Sequence, residues 1–234
     1  MSNFEEVDHS LRQTTLISAV YPVGPAAIIL MPMIVGGLVD SYGFSEQQAG
    51  AVATAEGVGL VLGLLIAALW VRQVTWRRSL FIGLAAYATL NFGSSMAEGY
   101  LQIVLLRFLS GFIGGSVFAI VVAALGDNRE PDRAFGIGQA VQGLLMGALF
   151  ALAPVLMKTS GVNGVFYMMA GLAVMVMLFL PRFPQYGLVR ASARGASGKN
   201  NEHKGALGWL YLGLFGGFFY YLAVFGFWGF IERM

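Results

Sequence analysis

The chain has 234 residues, 57% of them hydrophobic and only 11% charged, with a mean hydropathy of +0.72. A soluble domain of this length carries about twice that charge, and the apolar runs are too long and too numerous for a soluble core. There is no cysteine, which excludes a disulfide framework, thiolate chemistry and a cysteine metal site, and the net charge of +2 informs only through where the charges fall.

The first residues are polar, with Glu5, Glu6, Asp8, His9 and Arg12 and no basic n-region or small-residue cleavage site. Residues 1–14 are therefore expected to remain as a cytoplasmic segment. The first apolar run covers about 15–39 and contains Pro22, Pro25 and Pro32, residues that interrupt helices but are tolerated within membranes. A second run follows at 47–70 with Glu56 in its first half, and a third at 79–95. The fourth, at 101–125, is almost wholly apolar, with one charge, Arg107, and the small residues Ser110, Gly111, Gly114, Gly115 and Ser116. At ~1.5 Å per residue such a run crosses a ~30 Å hydrocarbon layer, and its small residues invite very close packing of another helix. The fifth and sixth runs cover 135–157 and 163–180, and a seventh spans 207–230. The fold expected is all-α: a polytopic bundle of seven membrane helices, with six in one domain (15–181), a basic Gly/Ser-rich cytoplasmic linker (182–206) and one more in 207–234.

With the amino terminus inside, the inner segments hold Arg12, Arg72, Arg77, Arg78, Arg129, Arg133, Arg182, Arg190, Arg194, Lys199 and Lys204. The outer segments hold only Lys158 and Arg233. This asymmetry predicts a cytoplasmic amino terminus. Runs one to three and four to six are similar in length, and an odd number of spans per triplet makes the second run opposite to the first, as in the inverted repeats of secondary transporters.

Charges inside membrane helices are costly and mark functional sites. Arg107 lies about 10 Å from the outer end of its run by helical rise, and Glu56 at a similar depth on the second. Arg107 is expected either to hold an anionic substrate group or to bias protonation of a nearby acid, its alternative being a structural arginine bonded to carbonyls. Glu56 is expected to titrate as water access alternates, or else simply to neutralise Arg107. Gln139 and Gln142, three apart on the fifth run, share a face and suit either substrate hydrogen bonding or helix–helix contact. Asn91 reads as structural. Tyr21, Tyr220 and Tyr221 are candidates for a cavity lining, although tyrosines also populate membrane interfaces.

Several motifs together resemble the major facilitator superfamily. Arg107-Phe-Leu-Ser-Gly111-Phe-Ile-Gly114-Gly115 is similar to that family's fourth-helix motif. The turn Gly43-Phe-Ser-Glu-Gln-Gln-Ala-Gly50, leading to Ala55-Glu56, resembles its approach to the second helix, and Trp76-Arg77-Arg78 its basic turn before the third. Helix five with Pro154 and the long basic linker also fit. The resemblance implies an amino-terminal six-helix half plus the first helix of a second half, in a family of about twelve helices, so the chain is expected to be truncated and its other half missing. It implies a secondary active transporter that rocks about a midplane site, moves a small organic solute, and couples it to a proton or another ion, with Glu56 the best proton candidate and Arg77 and Arg78 in a cytoplasmic gate loop. One departure weakens such a gate: the stretch 69–78 has no acid beside its basic pair.

Other classes fit less well. Both histidines, His9 and His203, lie in polar segments, away from any membrane serine; the seventh run has no Schiff-base lysine; and no Gly-Lys-Ser/Thr phosphate loop is present. The chain is not expected to be an enzyme, to need a metal or cofactor, or to bind nucleic acid. The alternative from another class is a non-transporting membrane scaffold or assembly subunit, against which the intramembrane charges argue. The partners expected are the lipid bilayer, a small-molecule substrate and a coupling ion; the location expected is a bacterial inner membrane.

Overall fold

A computed structural model describes residues 11–128 and 130–184, all of them in the first of the two compact units into which the chain divides (1–191). The seventh span with Tyr220 and Tyr221, the linker from residue 185, Arg129 and residues 1–10 lie outside the described residues. Among the described residues every regular element is helical.

The prolines break up the first span. Proline offers no N–H and its ring crowds the carbonyl four residues earlier, so the chain runs as α1 (Leu11–Val20), a 3-10 turn (Tyr21–Val23) holding Pro22, α2 (Ala26–Ile29) starting after Pro25, and α3 (Met31–Tyr42) with Pro32 in its first turn. Gly24 sits at the break because nothing larger fits: a β-carbon there would lie 2.5 Å from that of Phe118.

The turn into the second span is built as its sequence suggests. Gly43 takes the left-handed conformation (φ 68°) that closes α3. Ser45 then caps α4 (Glu46–Trp70) reciprocally: its hydroxyl accepts from the Gln48 N–H and its own N–H donates to Gln48 Oε1. There follow α5 (Trp76–Ser94), α6 (Tyr100–Gly126), α7 (Pro131–Ser160) and α8 (Val162–Met177). The third span thus starts three residues earlier than its hydropathy indicates, because Trp76 is buried and its Nε1 donates to the Val71 carbonyl at 2.7 Å.

Three of these helices, α4, α6 and α7, are long and apolar enough to cross a membrane on length and composition alone. The rest follow from how they pair. Gly59 and Gly63 of α4 lie against the carbonyls of Phe108 and Phe112, while Gly111 and Gly115 of α6 lie against those of Glu56 and Leu60. Each step of four along α4 is matched by four along α6 in the same sense, so these helices are parallel and the chain between them must return. That return is α5, despite the arginines at its start. Arg77 near the start of α5 reaches Phe183 beyond α8, whereas Phe92 near its end packs on Tyr167 near the start of α8, so α8 runs against α5. Thr14 bonds Asn128 and Tyr21 stacks on Phe118, which sets the first span against α6. Six passes therefore alternate in direction.

The distribution of side chains is that of a protein in lipid. Large apolar residues stand on the outside (Leu69 76% and Leu144 78% exposed), while Glu56, Asn91 and Arg107 are wholly buried. Hydrocarbon tails solvate the former and cannot solvate the latter.

Because the α4–α6 contact is backbone against backbone, no side-chain movement relieves a clash there. We expect Gly111→Ala to lower the thermal stability of the full-length protein in detergent by about 1–3 kcal/mol. Gly57→Ala, on the same pair of helices but with open space at its β-carbon, should change it by no more than about 1 kcal/mol; equal losses would disprove the assignment.

Candidate functional site

The structure sorts the candidate residues into three places. In the first, α4 and α6 approach so closely at their glycines that Glu56 and Arg107, one turn away, face each other inside the bundle. Arg107 Nη1 lies 3.3 Å from Glu56 Oε1, the two side chains being 0% and 1% exposed. Residues from two further helices complete the cluster. From α5, Asn91 Oδ1 accepts from Arg107 Nη2 at 2.8 Å, while its Nδ2 donates to the Tyr87 carbonyl (2.8 Å) and to Ser110 Oγ of α6 (3.2 Å). From α8, the ring of Phe166 lies under the guanidinium, 4.9 Å from its carbon to the ring centre.

The cluster's hydrogen bonding is incomplete. Both Glu56 oxygens, Arg107 Nε and Nη1 and the Tyr87 hydroxyl are buried without a hydrogen-bond partner. The Glu56–Arg107 contact is thus a charge contact and not an aligned hydrogen bond. An ion pair in so dry a setting gains strongly from its mutual attraction but leaves a large penalty if either partner goes.

The second place is the junction of the first span with α7. Gln139 Nε2 donates to the Tyr21 hydroxyl at 3.4 Å, Tyr21 stacks tilted on Phe118 (4.9 Å between centres), and Gly138 fits beneath Tyr21 and Leu125. Gln139 is exposed and Gln142 half-buried. Phe118 lies eleven residues past Arg107, about 16 Å along α6, so Tyr21, Gln139 and Gln142 occupy a level of the bundle different from that of the ion pair.

The third is the basic end. The carboxylate absent from the stretch 69–78 comes from elsewhere: Asp127, just past α6, accepts from Arg72 at 3.2 Å. Its neighbour Asn128 donates to Thr14 Oγ1 (3.0 Å), and Arg77 Nε donates to the Phe183 carbonyl (2.8 Å). Arg78 is exposed. Among the described residues Arg72 meets Asp127 across segments, Arg133 meets Glu130 three residues away (3.2 Å), and Arg77 reaches the backbone beyond α8. Since Arg72 is half exposed (52%), the pair is a modest tie in energy and informative chiefly about which segments meet.

Reasoning from sequence placed Asn91 as structural, took Ser110 only as one of the small packing residues, and did not single out Tyr87, Phe166 or Asp127. A signal for Asp127 exists: it is an acid directly after an apolar span, among basic loops. Nothing in the sequence marks Phe166 among so many aromatics. Among the described residues no group of three His, Cys, Asp or Glu side chains stands together as a metal site.

A family model of the Major Facilitator Superfamily matches residues 16–233. No curated protein matches the chain.

The buried pair predicts a non-additive mutant cycle. Glu56→Leu or Arg107→Leu alone should cost about 3–5 kcal/mol, by stranding one charge, and the double variant less than either. Thermal unfolding of the full-length protein measures all three, and additive losses would mean that the two charges do not interact.

Proposed function

The chain belongs to the Major Facilitator Superfamily and is an integral membrane transporter, and we propose that it is a secondary active one, moving a small organic solute by alternating access in exchange for, or together with, protons. Glu56 carries this reading. It is an acid wholly buried among membrane helices, with one cation beside it and neither oxygen hydrogen-bonded. A purely structural carboxylate at that depth normally has its lone pairs met. One that must accept and release a proton benefits from a partner that stabilises charge without clamping it.

The other candidates take complementary parts. Tyr21, Gln139 and Gln142 offer uncharged donors and acceptors for solute contact. Arg72 with Asp127, beside Arg77 and Arg78, forms the gate-side end of the half, which we place at the cytoplasmic face of a bacterial inner membrane from the distribution of basic residues. Six passes of alternating direction support a division into two inverted triplets, the unit on which rocking about a midplane site is built.

The test uses the full-length protein in liposomes with a pH dye trapped inside. Candidate solutes are screened for one that moves protons when added, and its uptake is then followed with and without a pH gradient. Wild type should accumulate the solute above equilibrium only with the gradient; Glu56→Gln should equilibrate it but not concentrate it. Gradient-driven accumulation that survives the substitution removes Glu56 from the proton path.

A further inference from the structure

We propose that Asn91 is a positioning residue for Glu56: by engaging one arm of the Arg107 guanidinium, it prevents that arginine from clamping the carboxylate with both. The proposal rests on the proton role of Glu56 stated above. It starts from the geometry of a single guanidinium shared between two helices.

An arginine facing a carboxylate with nothing else in reach closes on it as a fork, two parallel N–H···O bonds of about 2.7–2.9 Å. Arg107 does not do so. Its shorter contact, 2.8 Å from Nη2, goes to the neutral amide of Asn91 on α5; Nη1 stands 3.3 Å from Glu56 on α4 without making a hydrogen bond, and Nε makes none. The fork is thus split, and the carboxylate receives charge without hydrogen bonds.

Asn91 cannot relinquish this hold by turning its amide over. Arginine has donors only, so the amide oxygen must face it. The amide nitrogen is meanwhile held by the Tyr87 carbonyl and by Ser110 Oγ. Reversal would set NH₂ against guanidinium and oxygen against carbonyl. Phe166 lies under the guanidinium and limits its tilt. Asn91 is therefore a fixed acceptor, and its position decides where Arg107 points.

The other ionisable groups around the carboxylate do not offer the same control. Arg107 from α6 and Tyr87 from α5 are the ones that face it. On α3, which also packs on α4, Asp40 is exposed, and Tyr42 donates to Asn163 at the far end. From α8 the cluster receives an uncharged ring. Removing the Asn91 oxygen leaves Nη2 with Glu56 as its acceptor, and the closed fork favours the ionised carboxylate. The proton should then be released at lower pH.

The experiment is an infrared titration of protonated carboxyl groups in the full-length protein in lipid, with no substrate present; Glu56→Gln identifies the Glu56 band. Asn91→Leu, with the same branching and number of heavy atoms but without an acceptor, should move the midpoint of that band down by about one pH unit. Asn91→Ser, too short to reach Arg107 and able to satisfy a buried polar neighbour, should move it in the same direction and serves where the leucine variant does not fold. A midpoint that stays in place or rises in the folded variants overturns the role of Asn91 while the proton role of Glu56 stands. If Glu56→Gln removes no titrating band at all, the proton role falls too.

Discussion

Two helices meeting backbone to backbone set the terms for this bundle. Inside a bilayer, apolar side chains gain little by leaving lipid for protein, so helices associate through close packing and weak backbone contacts. Gly59 and Gly63 on α4 and Gly111 and Gly115 on α6 remove the side chains that would hold the helices apart, letting carbonyls of each helix sit on the α-carbons of the other. The four glycines act together because they recur every four residues on both helices. A single large residue in that row separates the axes along its whole length. Once the two are fixed parallel, α5 has to return between them, and the order of passes follows.

The same contact produces the buried ion pair. With α4 and α6 touching at Glu56 and Gly111, the Glu56 side chain lies wholly buried inside the bundle. Its partner must come from the adjoining turn of α6, where Arg107 stands. Asn91 and Phe166 then close the sides from α5 and α8. Four helices thus converge on one guanidinium, and its burial is a consequence of the packing and not a separate adaptation. The incompleteness of the hydrogen bonding is different in kind. The closer contact of the arginine goes to an amide and the longer one to the carboxylate.

Much of this was legible in the residues, and the reasons are physical. Long apolar runs and proline positions report directly on lipid and on broken helices, so six of the passes appear in order. Gly43 and Ser45 report on a turn because their conformations and caps are local. Glu56 and Arg107 stand out because charge in an apolar run is rare. What local sequence does not contain is which long-range neighbours complete a site. Asn91 looks like any polar residue in a membrane helix until α5 is laid beside α6. Asp127 looks like a helix-end acid until the loop carrying Arg72 folds over it. Phe166 is one aromatic among many, and only its place under the guanidinium distinguishes it.

The departure in the stretch 69–78 shows how such compensation works. A loop that lacks its own acid would leave several basic residues repelling one another at one end of the bundle. The chain instead supplies a carboxylate from the turn after α6, the helix already locked to α4, so the acid arrives at a position fixed by the glycine contact. Asp127 is nearly buried while Arg72 is half exposed, which makes the acid the anchored partner and the arginine the one free to leave. Arg77, in addition, donates from Nε to the backbone carbonyl of Phe183, beyond α8. Among the described residues this end therefore joins the loop before α5 to the turn after α6, and α5 to the segment after α8.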